Sequence, residues 1–362
     1  MKKLFLTTSI LVGSAFGAVA GGVERSAQGV DIIFQDGGYV ELSFGSVTPS
    51  VSGVYSVGGL PSGNMAATYT QFSLGVKQDI SDKFGVALIL DQPYGANVNY
   101  PVSAAPYPFA GTTAEITSTA ITALGRYKVG ERFSVHGGLR HQSFSASASI
   151  PVLGGYGLDI PSSSGLGYVV GAAYEIPDIA LRVAVTYNSA ISHTLLASET
   201  GGFTGTTSLD VETPQSVNLD FQSGVAADTL VFGSIRWVDW TSFSVTPPGY
   251  AGATGGSSLL SYSNDVTTYT LGVGRKFSDT FSGSVSVAYE ESQGGFATNL
   301  APTDGFFSVQ LGGKYTMGNM NISGGVRYVF VGDAITGVTP TTTSSFTDNT
   351  AVGVGIKVGF SF

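Results

Sequence analysis

Eight basic residues fall inside segments that alternate polar and apolar side chains: Arg126, Arg140, Arg182, Arg236, Arg275, Lys314, Arg327 and Lys357. Guanidinium forks and ammonium groups are the side chains that grip carboxylates. Gathered in a water-filled lumen, they would also set an anion preference. Each could equally pair with a neighbouring acid such as Glu115 or Glu290, and for any single one that structural role is the more economical reading. The three histidines, His136, His141 and His193, make no metal set. His136 and His141 are an odd number of residues apart and face opposite sides of a strand. The chain has no cysteine, which removes thiol chemistry and disulfides. No zinc-protease helix motif, serine-nucleophile elbow or phosphate-cradling loop occurs in its proper context. No nucleophile–base pair can be nominated, so neither an enzyme nor a cofactor is expected.

A second group of residues could do apolar work. The stretch "DQPYGANVNYPVSAAPYPFAG" carries Tyr94, Tyr100, Tyr107 and Phe109, and "HTLLASETGGFTG" carries Leu195, Leu196 and Phe203. Loops this apolar suit capture of a hydrophobic ligand, or they pack on one another over a cavity mouth. Near the N-terminus, Val30, Ile32, Ile33 and Phe34 form a compact apolar cluster flanked by Asp31 and Asp36. It is short enough to serve as a plug.

The elements that must hold these residues follow from composition and period. Of 362 residues only 11% are charged, 51 are glycine, and the formal net charge is −9. An acidic chain lacks the basic face that nucleic acid requires. Residues 1–20 read as a secretory signal peptide: Lys2 and Lys3, an apolar run, then Ala18-Val19-Ala20. No later run is long enough for a helical membrane span. Fourteen segments alternate with period 2: 38–48, 66–77, 83–91, 115–129, 131–147, 164–175, 178–190, 213–225, 229–240, 264–276, 279–291, 304–315, 319–331 and 349–362. Many have the length a tilted strand needs to cross a bilayer. Six short connections alternate with seven long ones, the pattern of an outer-membrane barrel with turns on the periplasmic side and loops outside.

The faces agree. Val352, Val354, Ile356, Val358 and Phe360 oppose Gly353, Gly355, Lys357 and Gly359. Val231, Ile235 and Trp237 are expected against lipid, with Arg236 in the lumen. Aromatic residues near strand ends, among them Phe44, Tyr69, Phe84, Tyr127, Phe133, Trp240, Phe281, Tyr315 and Phe362, suit interfacial girdles. The expected architecture is an all-β, transmembrane antiparallel β-barrel of about 14 strands (residues 38–362), preceded by a plug-like segment (21–37). The expected location is the bacterial outer membrane, with multiple passes, both termini periplasmic, and the barrel monomeric and bathed in outer-membrane lipid.

Two blocks carry a resemblance. The stretch Glu212–Val245, with Thr213-Pro214 before one strand and Asp239-Trp240-Thr241-Ser242 ending the next, resembles the FadL family of outer-membrane long-chain fatty-acid transporters. The stretch Ile32–Gly53 and the segment from Asp304 to the C-terminal "SF" are similar to the same family. The resemblance implies a fourteen-stranded barrel with an N-terminal plug and passive uptake of long-chain fatty acids or similar hydrophobic molecules. It also implies lateral exit at a bend in strand three, here Lys83–Asp91 closed by Pro93. The family's asparagine-proline-alanine plug motif is missing, and only about 17 residues precede the first strand once the leader is removed. Two alternatives stand beside this expectation: a general porin or structural surface barrel, and an aromatic-hydrocarbon uptake channel.

Overall fold

The computed structural model describes residues 22–201, 205–339 and 341–362. The proposed leader and Phe203 lie outside them. Seventeen strands form the large sheet. They are β1 (Tyr39–Ser50), β2 (Tyr69–Asp79), β3 (Phe84–Asp91), β4 (Gly95–Asn99), β5 (Thr113–Val129), β6 (Phe133–Ile150), β7 (Tyr156–Ile176), β8 (Leu181–Asn188), β9 (Ile191–Thr200), β10 (Gly205–Thr213), β11 (Ser216–Ala226), β12 (Thr229–Val238), β13 (Val266–Lys276), β14 (Phe281–Glu290), β15 (Phe306–Met317), β16 (Met320–Val331) and β17 (Thr350–Ser361).

Fourteen positions make a closed antiparallel wall. β4 continues the position of β3, because both pair with β5, and the β9–β10 hairpin extends the wall above β8. Closure is made by β1 against β17, in register from Tyr39↔Ser361 to Ser50↔Thr350. Closure pairs the first strand with the last, so neither is left as an open edge in hydrocarbon, which is the condition for crossing a membrane with strands.

Alternation decides what each face meets. Along β17, Val352, Val354, Ile356, Val358 and Phe360 point outward and are exposed, while Lys357 is buried inside. Leu271, Val273, Val285, Val287, Leu311 and Tyr315 continue the outer apolar band. On β12, Ile235 is exposed, Val231 and Trp237 are partly covered, and Arg236 is buried. Phe44, Phe84, Tyr127, Phe133, Phe281 and Phe362 point outward as a girdle requires. Tyr69 and Trp240 do not: Tyr69 lies under the Arg25 guanidinium at 3.2 Å, and Trp240 is fully buried.

Three expected boundaries need correction. Residues 148–163 are not a loop throughout, since β6 and β7 pair almost without break up to Ile150↔Tyr156. Residues 191–200 and 205–212 are not loop but the paired strands β9 and β10. Strand three does not end at Pro93 but resumes as β4. In the third, one extra residue at Pro93 bulges the strand without ending it; in the first two, polar or small residues interrupt the apolar pattern although backbone pairing continues. A strand that rises beyond the hydrocarbon has no lipid to impose alternation.

Candidate functional site

The N-terminal segment lies inside the lumen. Gly22 sits where any side chain would collide with the Trp240 indole, and Gly75 leaves the space that the Ile32 side chain fills. A 3-10 turn, Asp31–Phe34, places Val30, Ile32, Ile33 and Phe34 in one buried cluster with Ala87, Ile89, Leu124, Val169, Ala173 and Ala184 of the inner wall. The Phe34 ring lies 4.6 Å from the Arg126 and Arg182 guanidinium carbons and meets His136 edge-on at 5.6 Å. Burial of these four side chains supplies on the order of 1.5–3 kcal/mol each, so the segment is held by packing as well as by polar contacts. At the turn rim, Gly37 N–H donates to Asp79 Oδ2 (2.7 Å) and the Gly37 carbonyl accepts from Lys77 Nζ (3.0 Å).

Above this cluster the segment meets an irregularity in the wall. Gln92, Pro93 and Tyr94 lie opposite only Ser118 and Thr119, between the pairs Asp91↔Ala120 and Gly95↔Thr117. One extra residue makes a bulge, and proline is tolerated there because it has no N–H to lose. Ser118 repairs the ladder: its Oγ accepts from Tyr94 N–H and donates to the Tyr94 carbonyl, both at 2.8 Å. The Pro93 carbonyl turns inward and accepts from the N–H groups of Arg25 (2.8 Å) and Ser26 (3.2 Å), while Gly95 N–H donates to the Val23 carbonyl (2.8 Å). The N-terminal segment is thus joined to the bulge as a short extra strand.

The bulge opens a window. β2 pairs with β3 only from Leu74↔Leu90 to Asp79↔Gly85, and contact resumes above at the isolated bridge Ala66↔Val98. Between them, residues 69–73 have no strand partner on that side, and the Gln92 side chain accepts from Phe72 N–H at 3.1 Å. A small open pocket occupies the gap, lined by Ser26, Ser43, Gln71, Phe72, Asp91 and Gln92 among others. On its lumenal side Ser26 Oγ donates to Asp91 Oδ2 (2.5 Å) and Gln71 donates to the Arg25 carbonyl. A second, larger cavity runs from Pro49, Val51, Met65 and Leu300 near the loops down to Arg25 and Tyr69. Residues 25 and 26 line both cavities between them and separate the loop side from the window.

The lumenal cations are engaged. Arg236 is held by Glu24, by Ser216 Oγ (3.0 Å) and by Asn218. Arg126 pairs with Glu175 and donates to Ser134 Oγ (3.0 Å). Arg140 donates to Thr122 Oγ1 (2.8 Å) and Asn188 Oδ1 (2.9 Å). Arg182 reaches Asp31 at 3.4 Å, Lys357 reaches Glu41 at 3.5 Å, and Arg327 donates to Ser308 Oγ at 3.0 Å. Lys314 is buried on the inner face. Arg275 is the exception to the expected lumenal set. It shares the outward parity of Leu271 and Val273, is exposed, and donates to Thr229 Oγ1 (3.1 Å) beside a turn. At the end of a strand a long basic side chain can point outward and still reach water.

The apolar loop residues are mostly packed rather than displayed. Tyr100 and Tyr107 are buried and stacked at 5.6 Å with Phe109 against them. Burial raises the phenols of Tyr100 and Tyr107 above the ordinary tyrosine range, so both remain neutral hydrogen-bond donors: Tyr100 to the Asn299 carbonyl (2.7 Å) and Tyr107 to Ser344 Oγ (3.1 Å). Tyr94 is no loop residue but the buried apex of the bulge, 5.9 Å from Trp240. Leu195 is buried in the same cluster, and Leu196, its neighbour on β9, is exposed outward. Sequence reasoning did not single out Ser26, Gln71, Asp91 and Gln92, because their importance lies in a bulge and an interrupted ladder. The one local signal was Pro93 beside a strand end. Among the described residues no group of His, Cys, Asp or Glu side chains could hold a metal ion.

The sequence matches no protein-family model, and no curated protein matches it. Solved structures do resemble it. A Pseudomonas aeruginosa FadL homologue superposes with a TM-score of 0.76 at 15% identity, covering 97% of this chain and 99% of that one. The Pseudomonas putida toluene transporter TodX gives 0.64 at 13% identity, with 96% of each chain covered. The Ralstonia pickettii toluene transporter TbuX gives 0.61 at 14%, covering 96% and 97%. Identities this low establish a common fold over nearly the whole chain.

Proposed function

We propose that the protein is an outer-membrane channel for uncharged hydrophobic small molecules, of the size and polarity of monoaromatic hydrocarbons, which leave the lumen sideways through the window. The observation that carries this reading is the interrupted β2–β3 pairing directly behind the N-terminal segment. A general porin has no use for a wall opening sealed from within, whereas a hydrophobic solute gains by passing into lipid rather than into water. Binding in such a channel needs apolar cover and few polar groups, and the stacked mouth aromatics supply the cover. The fold shared with two toluene transporters supports the same class.

The lumenal cations bear on the choice of ligand. Arg126, Arg182, Arg236 and Lys357 have acidic partners and Arg140 has neutral acceptors, so a carboxylate would have to displace existing bonds. This argues for neutral ligands over fatty acids. The second reading, uptake of long-chain fatty acids, is favoured by the higher TM-score with the FadL homologue. Under either reading the N-terminal segment acts as the plug and the turn rim faces the periplasm. Cells whose outer membrane carries the protein are expected to take up labelled toluene several-fold faster than cells without it, with dodecanoate uptake unchanged. A gain for dodecanoate alone would transfer the assignment to fatty acids, and no gain for either would leave a structural barrel.

A further inference from the structure

Among the described residues, four besides glycine hold a positive φ: Gln28 (54°), Ala180 (50°), Asp228 (56°) and Asp348 (57°). Ala180 and Asp228 turn the chain into β8 and β12, and Asp348 lies in the connection before β17. Gln28 is different, because it is buried in the lumen in the middle of the N-terminal segment. A left-handed backbone crowds Cβ against the following carbonyl in any residue but glycine, so it persists only where the surroundings hold it. Here the hold is polar. Ser216 Oγ (3.2 Å) and Arg236 Nη2 (3.4 Å) donate to Gln28 Oε1, and Gln28 Nε2 donates to Tyr94 Oη (3.4 Å). Contacts of this length are weak hydrogen bonds. Asn218 Nδ2 donates to the neighbouring Ala27 carbonyl at 2.9 Å. Arg236 also grips Glu24, so one guanidinium serves both the strained residue and the chain before it.

We infer that Gln28 is a sprung joint, dividing the N-terminal segment into a movable arm, residues 22–27, and a fixed anchor, residues 30–34. The two sides are held on different terms. The arm has one buried apolar side chain, Val23, and otherwise depends on polar bonds to Pro93, Gly95, Asp91 and Arg236. The anchor has four apolar side chains, Val30, Ile32, Ile33 and Phe34, packed into the wall. When the long contacts to the Gln28 amide are lost, φ relaxes to an extended value. The arm then rotates about the Gln28 N–Cα bond, leaves the bulge and uncovers the lumenal side of the window. The anchor keeps its packing, so the gate opens without unseating the whole segment. The inference rests on the proposed role of this segment as the plug and assigns the motion to its first part.

The chain has no cysteine, so Val23→Cys and Ile33→Cys, both at buried positions, report separately on arm and anchor in the purified, detergent-solubilised protein. Each is combined with Gln28→Val or Gln28→Gly. Both joint variants lack the amide, so their difference reads the backbone alone. A branched side chain tolerates the left-handed region least and glycine tolerates it freely. Maleimide labelling of Val23→Cys is therefore expected to be about tenfold faster with Gln28→Val than with Gln28→Gly. Labelling of Ile33→Cys is expected to stay slow and equal in the two. Retention of the barrel's resistance to unfolding in cold dodecyl sulfate identifies variants that have folded. Equal labelling of Val23→Cys in the two variants would overturn the inference, because strain would then play no part. Acceleration of Ile33→Cys together with Val23→Cys would also overturn it, because the segment would then leave as one piece. Neither readout uses a transported molecule, so failure here leaves the channel reading standing, and a failed uptake experiment leaves the joint standing.

Discussion

The wall from β14 to β17 and the wall from β2 to β4 are built from the same alternating pattern but end differently. In the first, all ten residues of β14 pair with β15, and β15 with β16, without a break in register. Most outward residues are large and apolar, and the inward ones include the small Ser284, Ser286, Gly312 and Gly325 beside the buried Lys314 and Arg327. In the second, alternation holds through Leu74, Val76, Leu88 and Leu90, yet the ladder stops halfway along β2. The regular half pairs strand to strand along its length and draws no ladder partner from the N-terminal segment. The irregular half is completed by side chains and by the N-terminal segment: Gln92 serves Phe72, Ser118 serves Tyr94, and Arg25 and Ser26 serve Pro93. A wall that can open must have its missing bonds supplied by groups that can let go, and that is where this barrel departs from uniform pairing.

Three experiments would break or sharpen the contrast. The largest effect is expected from Ser26→Cys combined with Asp91→Cys, in a chain with no other cysteine. Oxidation would fix the N-terminal segment across the window and reduce uptake more than tenfold, with recovery on reduction. Unchanged uptake by the cross-linked protein would show that the window is not the route. Next, Glu24→Gln leaves the Arg236 guanidinium buried without its acid, a change that costs about 3–5 kcal/mol. The loss is expected to release the N-terminal segment, seen as new protease cleavage before residue 38, while β14–β17 stay protected. Equal loosening of both halves would refute their independence. The smallest effect is expected from Arg275→Gln on the outer rim, within about 0.5 kcal/mol in thermal unfolding. A drop as large as that of Glu24→Gln would return Arg275 to a structural network that its exposed position does not support.

Much of the fold was legible in the chain. Period-2 alternation follows from the geometry of one strand, and lipid on one side enforces it residue by residue. Ile235 outside and Arg236 inside could therefore be assigned from parity. The apolar cluster Val30–Phe34 was equally visible, because four such residues in a short segment must be buried somewhere. Arg275 was misplaced for a definable reason: membership of a strand was counted without its parity, and parity near a rim no longer separates lipid from water. Tyr100 and Tyr107 were recognised as apolar-seeking, but what would cover them could not be read from their own neighbours.

The sequence by itself therefore determined the number of wall strands, the faces they present and the strict alternation of short and long connections, since each depends on residues next to one another in the chain. Only the tertiary structure decided that Pro93 bends a strand instead of ending it and that Ser26 meets Asp91 across a broken ladder. Those facts depend on which distant segments arrive at the same place and which hydrogen bonds remain unfilled when they do, and that is settled by closure of the whole barrel.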